Sequence, residues 1–122
     1  MMKQVDLNER TRRFAVAVIL FYGTFPKNQA AWVIGKQLVK SATSIGANFR
    51  ESGRAESRRD FVHKIALAEK ECAETEYWLE LASDVGFGDR DRLPNLTQEC
   101  DELLAILVSI GKSTKELSVS HG

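Results

Sequence analysis

Apolar residues recur along this chain at steps of three and four, the repeat of one helix face. The pattern is clearest in the middle. There Phe61, Ile65, Ala68, Cys72, Thr75, Leu79 and Ala82 follow alternating steps of four and three through three heptads, the spacing of a left-handed helical bundle. Leu96, Cys100, Leu103, Leu107 and Ile110 repeat it, with Thr114 and Leu117 in phase beyond. Ile34, Leu38, Ala42, Ile45 and Phe49 form a third stripe, and Phe14, Val18 and Phe21 a fourth. The punctuation between stripes fits helix ends. Asn8 and Asn28 stand where N-caps belong, Ser57 opens a Ser-x-x-Asp box with Asp60, and Pro94 suits a first turn where its missing N–H does no harm. Gly53 is placed for a left-handed residue past a helix end. These signals predict one all-α domain over residues 1–122, an antiparallel up-down-up-down four-helix bundle with helices near 8–22, 29–51, 57–85 and 94–115. Met1 to Leu7 and Ser118 to Gly122 are expected to fray.

Two segments depart from a simple amphipathic pattern. Residues Val16, Ile19, Leu20 and Tyr22 make the end of the first helix apolar all round, so that helix is either central in the bundle or shared with another subunit. The second helix carries Ser41, Ala42, Thr43, Ser44, Gly46 and Ala47 in close succession, which lets a neighbouring backbone approach. A polar contact at a subunit interface or pore through Ser44, Gly46 and Asn48 competes with that packing role.

Composition adds little to the fold: 43% of the 122 residues are hydrophobic and 28% charged, enough for one buried core. Charge changes the picture more. Net charge is zero, yet Lys36 to Lys64 holds seven bases against three acids, and Glu69 to Glu102 holds eleven acids against three bases. The basic excess centres on Arg50, Arg54, Arg58, Arg59 and Lys64, candidates for the phosphates of RNA or DNA or for the acidic face of another subunit. The apolar run from Phe14 to Tyr22 is far short of the roughly 20 residues that cross a bilayer, so no membrane partner is expected and the cytoplasm is the expected location.

Enzymatic chemistry finds no constellation. Asp60-x-x-His63 has the spacing of bundle metal sites but stands alone, whereas a di-metal bundle needs two such motifs and further carboxylates. Glu71, Glu74 and Glu76 fit a solvated acidic face, and Cys72 and Cys100 read as buried reduced thiols without metal-ligand spacing. The expectation is a protein without catalytic site, metal or cofactor.

The run from Gln37 to Glu51, QLVKSATSIGANFRE, resembles the signature of the bacterial four-helix-bundle family encoded in 23S ribosomal RNA intervening sequences. Phe25-Pro26 before it is similar to that family, as are Phe61, Lys64, Ala68 and Glu71 after it and the segment Glu76 to Leu81. The resemblance implies a non-enzymatic bundle that assembles as a homopentamer. It extends to the accessory variability protein of diversity-generating retroelements, a basic pentamer that engages nucleic acid, from which this neutral chain departs in charge. A ring-forming scaffold that holds nucleic acid is the leading functional expectation, and an adaptor for a partner protein the alternative.

Overall fold

The computed structural model describes residues 4–121, with the side chains of residues 7–115. Four helices follow one another, α1 (Gln4–Tyr22), α2 (Gln29–Ser52), α3 (Arg58–Val85) and α4 (Leu93–His121). The cross-contacts fix their directions. Gly35 meets Tyr22 and Gly46 meets Thr11, Glu51 pairs with Lys64, Cys72 faces Cys100, and Arg10 reaches Glu99, so each helix runs antiparallel to its neighbours. This is the four-helix bundle that the heptad steps predict.

The core is built from those steps. Ile65, Ala68, Cys72, Thr75, Leu79 and Ala82 of α3 are buried, as are Leu96, Cys100, Leu103 and Leu107 of α4 and Leu38, Ala42, Ile45 and Phe49 of α2. Leu67, Trp78 and Leu81, which lie off that stripe of α3, are half-buried. Ser41 and Thr75 are the buried polar pair of the α2–α3 seam. The Thr75 hydroxyl lies 2.9 Å from Ser41 Oγ and 2.7 Å from the Glu71 carbonyl, while Ser41 donates to the Leu38 carbonyl, so neither hydroxyl is stranded. On the α3–α4 seam Cys100 Sγ lies 3.4 Å from the Cys72 carbonyl. Both cysteines are free and buried, and the Cys100 thiol together with burial holds the Cys72 thiol far above its ordinary range, which disfavours a reactive thiolate.

Helix ends follow the sequence in part. Asn28 accepts from the Ala31 N–H at 2.8 Å and Ser57 from the Asp60 N–H at 3.0 Å, both as N-caps. The return bond of a capping box is shifted by one residue, because Asp60 accepts from Glu56 rather than from Ser57. Gly86 ends α3 in the left-handed conformation, φ 75°. The expected start of α1 is wrong. Asn8 lies inside α1 and caps nothing, because Leu7 and Thr11 extend the buried stripe Phe14, Val18, Phe21 backward at steps of three and four. Gln4 to Leu7, expected to fray, are therefore helical, and Met1 to Lys3 lie outside the described residues. Helix α4 likewise runs on through Ser118 to His121, since no proline or glycine interrupts it after Gly111; Gly122 lies outside the described residues. Gly53 is not left-handed. Its φ of −67° continues the right-handed turn, in which Gly53, Arg54 and Ala55 N–H groups reach back three residues to close the helix end.

The first helix is tied down at three places. Gly46 lies so close that a β-carbon there would stand 2.8 Å from Thr11 Oγ1, and one at Gly35 would overlap the Tyr22 ring. On its other side, Arg10 Nε and Nη2 each donate to one oxygen of Glu99 at 2.7 Å, and Nη2 also reaches Glu102. That fork keeps Arg10 firmly protonated and lowers the Glu102 carboxyl below its usual range. At the end where α1 meets α2, Thr24 Oγ1 accepts from the Asp89 N–H at 2.8 Å, joining two connections over Phe21, Phe25 and Phe87.

Glu76 and Asp101 set like charges against each other across α3 and α4. Sharing a proton with Asp101 raises the Glu76 carboxyl above its ordinary value, with burial adding to the effect. A raised folded pKa means that the native state binds more protons, so this pair loses stability as pH rises from the ordinary carboxylate range toward neutrality. Urea unfolding of Glu76→Gln is expected to give a gain over wild type at pH 7 that shrinks toward pH 4.5. Two glycines give a contrasting test by thermal or urea unfolding. Gly53→Ala, in a right-handed turn, is expected to stabilise by about 0.4–1 kcal/mol. Gly46→Val is expected to destabilise by about 1–3 kcal/mol through overpacking against Thr11.

Candidate functional site

The basic excess resolves into two places. Arg50 lies in the last turn of α2 and Arg54 in the following connection, and both line a groove of about 500 Å³ between α1 and α2. Arg12 of α1 completes the lining with Asn8, Thr11, Ala15, Thr43, Gly46, Ala47 and Glu51. Arg58 and Arg59 open α3, exposed and outside that groove. Lys64 is turned back to α2, with Nζ 3.5 Å from Glu51 Oε2, and so offsets the one acid of the groove. Arg50, Arg54, Arg58 and Arg59 make no ion pair among the described residues.

The groove owes its shape to small residues. Thr11 against Gly46 brings the two helices into contact, and Ala15, Thr43 and Ala47 leave a trough above that contact. Arg12 is steadied at its edge by Glu9, whose Oε1 accepts from Nη2 at 2.6 Å. Arg12 and Arg13 also hold the Glu9 carboxyl below its usual range. The Asn8 side-chain oxygen Oδ1 is buried and takes no hydrogen bond from any described residue, whereas the Asn8 backbone carbonyl accepts from Thr11 Oγ1 at 3.1 Å.

The other members of the small-residue run serve α2 itself. Ser44 Oγ donates to the Lys40 carbonyl at 2.7 Å and Asn48 Nδ2 to the Ser44 carbonyl at 2.9 Å, both half-buried. Gly46 is a helix contact.

A second surface is apolar. Val16, Ile19 and Leu20 of α1 and Trp32 and Val33 of α2 are about half exposed, between 45% and 56%, and account for five of the eight large hydrophobic side chains open to solvent among the described residues. Lys36 Nζ lies 4.9 Å from the Trp32 ring centre, a cation–π contact. Helix α1 is thus not central: it packs on α2 and α4 and leaves one apolar side uncovered. From Arg10 to Arg50 the chain carries seven bases and no acid, so the α1–α2 half is predominantly positive, with Glu9 and Glu51 just outside that span. The α3–α4 half carries the acids, with Glu71 raised by burial and Glu74, and Glu76 raised by Asp101.

Arg12 and Asn8 were not legible as site residues. Arg12 lies in the predicted first helix, away from the basic run of Arg50 to Lys64, and only the antiparallel pairing of α1 with α2 sets it beside Arg50 and Arg54. His63 is exposed on α3, and among the described residues no three His, Cys, Asp or Glu side chains converge as a metal site. None of the described helices is long and apolar enough to cross a membrane.

Comparison with known proteins agrees with this architecture. No curated protein matches the chain. Among solved structures, a protein of unknown function from the S23 ribosomal protein family of Bacteroides thetaiotaomicron is 38% identical and superposes with a TM-score of 0.83, over 91% of this chain and 99% of the other. The family model for the 23S rRNA-intervening sequence protein matches residues 3–109. With nearly the whole bundle inside that match, the chain belongs to the 23S rRNA-intervening sequence protein family.

Proposed function

We propose that the protein is a non-enzymatic scaffold subunit of the cytoplasm that assembles with copies of itself into a ring and holds RNA on its basic side. The observation that carries the assembly is the uncovered apolar side of α1 and the start of α2, formed by Val16, Ile19, Leu20, Trp32 and Val33. Exposed apolar patches of this kind mark protein contacts. Covering the exposed half of five such side chains contributes on the order of 5 kcal/mol. Association costs at least about 4 kcal/mol in lost freedom before side chains are ordered. Hydrophobic burial alone is therefore marginal, and charge supplies the rest.

Charge complementarity favours a second copy as the partner. The predominantly basic α1–α2 half of one subunit faces the carboxylates of α3 and α4 of the next, where Glu76 stands against Asp101 and Glu71 against Glu74. Two different faces meeting make a heterologous contact, which closes as a ring when the rotation per subunit allows. The family resemblance implies five subunits. RNA is the second part of the reading, favoured by four exposed arginines, Arg50, Arg54, Arg58 and Arg59, that no described acid neutralises.

Sedimentation velocity tests the assembly. Wild type is expected to sediment as a closed oligomer, and the double variant Ile19→Asp, Leu20→Asp as a helical monomer, because both side chains point to solvent within one subunit and their replacement leaves the core intact. A monomeric wild type at tens of micromolar would sink the ring and favour an adaptor for a different partner protein.

A further inference from the structure

The arginines that the sequence groups together are divided by the fold, and the division points to where a polyanion lies. We infer that the α1–α2 groove bounded by Arg12, Arg50 and Arg54, and not the Arg58–Arg59 turn, is a binding site for the backbone of single-stranded RNA. The inference rests on the RNA part of the proposed function and gives it a location.

Three features of the groove carry it. First, arginines from two helices converge on one trough, Arg50 and Arg54 from α2 and its connection without an acid partner and Arg12 from α1 held at the edge by Glu9, so guanidinium groups flank a phosphate chain from both walls. Glu51, the acid in the lining, is engaged by Lys64 at 3.5 Å and opposes phosphate less than its position suggests. Second, the trough is shaped for a chain rather than a base. Its floor is Ala15, Thr43, Gly46 and Ala47, with no aromatic side chain on which a base stacks, and its volume of about 500 Å³ lies open along the helix pair. A sugar-phosphate backbone fits over such a floor, its bases turned outward, and this predicts little sequence preference. Third, the Asn8 side-chain oxygen Oδ1, in the lining of the groove, is buried without a donor among the described residues. A ribose 2′-hydroxyl is a donor that RNA brings and DNA lacks. The apolar surface proposed for assembly begins at Val16 and Trp32, toward the other end of the same helix pair, so subunit contact and RNA occupy different stretches of α1 and α2.

Fluorescence anisotropy of a labelled 12-nucleotide unstructured RNA, titrated with the full protein from 50 to 200 mM salt, reads the site. Each phosphate contact on a single strand contributes about 0.7 to the salt slope, so loss of three contacts in Arg12→Gln, Arg50→Gln, Arg54→Gln lowers that slope by about 2. That variant is expected to bind at least tenfold more weakly at 50 mM salt. Arg58→Gln, Arg59→Gln is expected to stay within threefold of wild type. Ala47→Trp, an exposed position on α2 where added bulk fills the trough without touching charge or core, is expected to lose about as much affinity as the triple variant. Circular dichroism and sedimentation of the same samples establish fold and assembly. DNA of the same sequence is expected to bind several-fold more weakly.

RNA binding that is lost at Arg58 and Arg59 but kept in the groove variants, or kept in Ala47→Trp, overturns the groove while leaving RNA binding intact. Equal affinity for DNA overturns RNA as the occupant. No binding of wild type at 50 mM salt overturns the groove and the RNA part of the proposed function together, whereas assembly stands or falls on the sedimentation result.

Discussion

Helix α2 must pack against α1 on one side and α3 on the other, and most of the architecture answers to that constraint. A helix flanked twice has little perimeter left for large side chains. The second helix meets it by carrying glycine where α1 comes closest, at Gly35 under Tyr22 and Gly46 under Thr11, and serine where α3 does, at Ser41 beside Thr75. Glycine lowers intrinsic helix stability by about 1 kcal/mol per residue relative to alanine, and tertiary contact must offset that cost. Here the offset is close approach: Leu38, Ala42, Ile45 and Phe49 are fully covered because their neighbours are small. The same economy empties the outer side of the α1–α2 junction, where Ala15, Thr43 and Ala47 leave a trough instead of a ridge. Core packing and the candidate site thus share one cause.

The fourth seam of the bundle works differently. Helices α1 and α4 are the least closely packed adjacent pair, and what aligns them is the Arg10 fork on Glu99, extended to Glu102. An ion pair that is about a quarter exposed contributes little by itself, since solvent screens it. Its value is geometric, because two parallel hydrogen bonds fix the rotation of α1 about its own axis. That rotation decides which residues α1 presents outward. With Phe14, Val18 and Phe21 turned in and Arg10 held against α4, Val16, Ile19 and Leu20 have nowhere to go but solvent.

Much of this was legible from periodicity. The heptads of α3 and α4, the stripe of α2 and the caps at Asn28 and Ser57 stand where the sequence puts them, because side-chain burial and backbone capping are local consequences of spacing. The failures have local causes too. Thr11 interrupts the apolar stripe of α1 to a reader, yet it is buried by virtue of its contact with Gly46 and its bond to the Asn8 carbonyl, so the helix begins a full turn before Asn8. Gly53 looked left-handed by residue type, but consecutive three-residue turns through Ala55 finish α2 without it. Of the candidate site, Arg50 and Arg54 were legible as part of a basic run. Their separation from Arg58 and Arg59, the pairing of Lys64 with Glu51, and the arrival of Arg12 from 38 residues upstream of Arg50 are facts of topology, which no local pattern encodes.

A net charge of zero argues less against polyanion or self-recognition than it first suggests. Salt screens charges beyond about 8 Å at physiological ionic strength, so a ligand near the surface responds to the charges within that distance and not to the molecular total. On this chain the zero total hides two unlike stretches, seven bases without an acid from Arg10 to Arg50 and eleven acids against three bases from Glu69 to Glu102. A phosphate at the α1–α2 groove therefore meets a locally cationic surface. A neighbouring subunit meets whichever half it faces. Glu71 is raised by burial and by Glu74, with Lys70 and Lys40 offsetting this only in part, and Glu76 is raised by Asp101 and burial. Such repulsion eases in an arrangement that brings the basic half of one copy against the acidic half of another, which is the electrostatic motive of the proposed head-to-tail association.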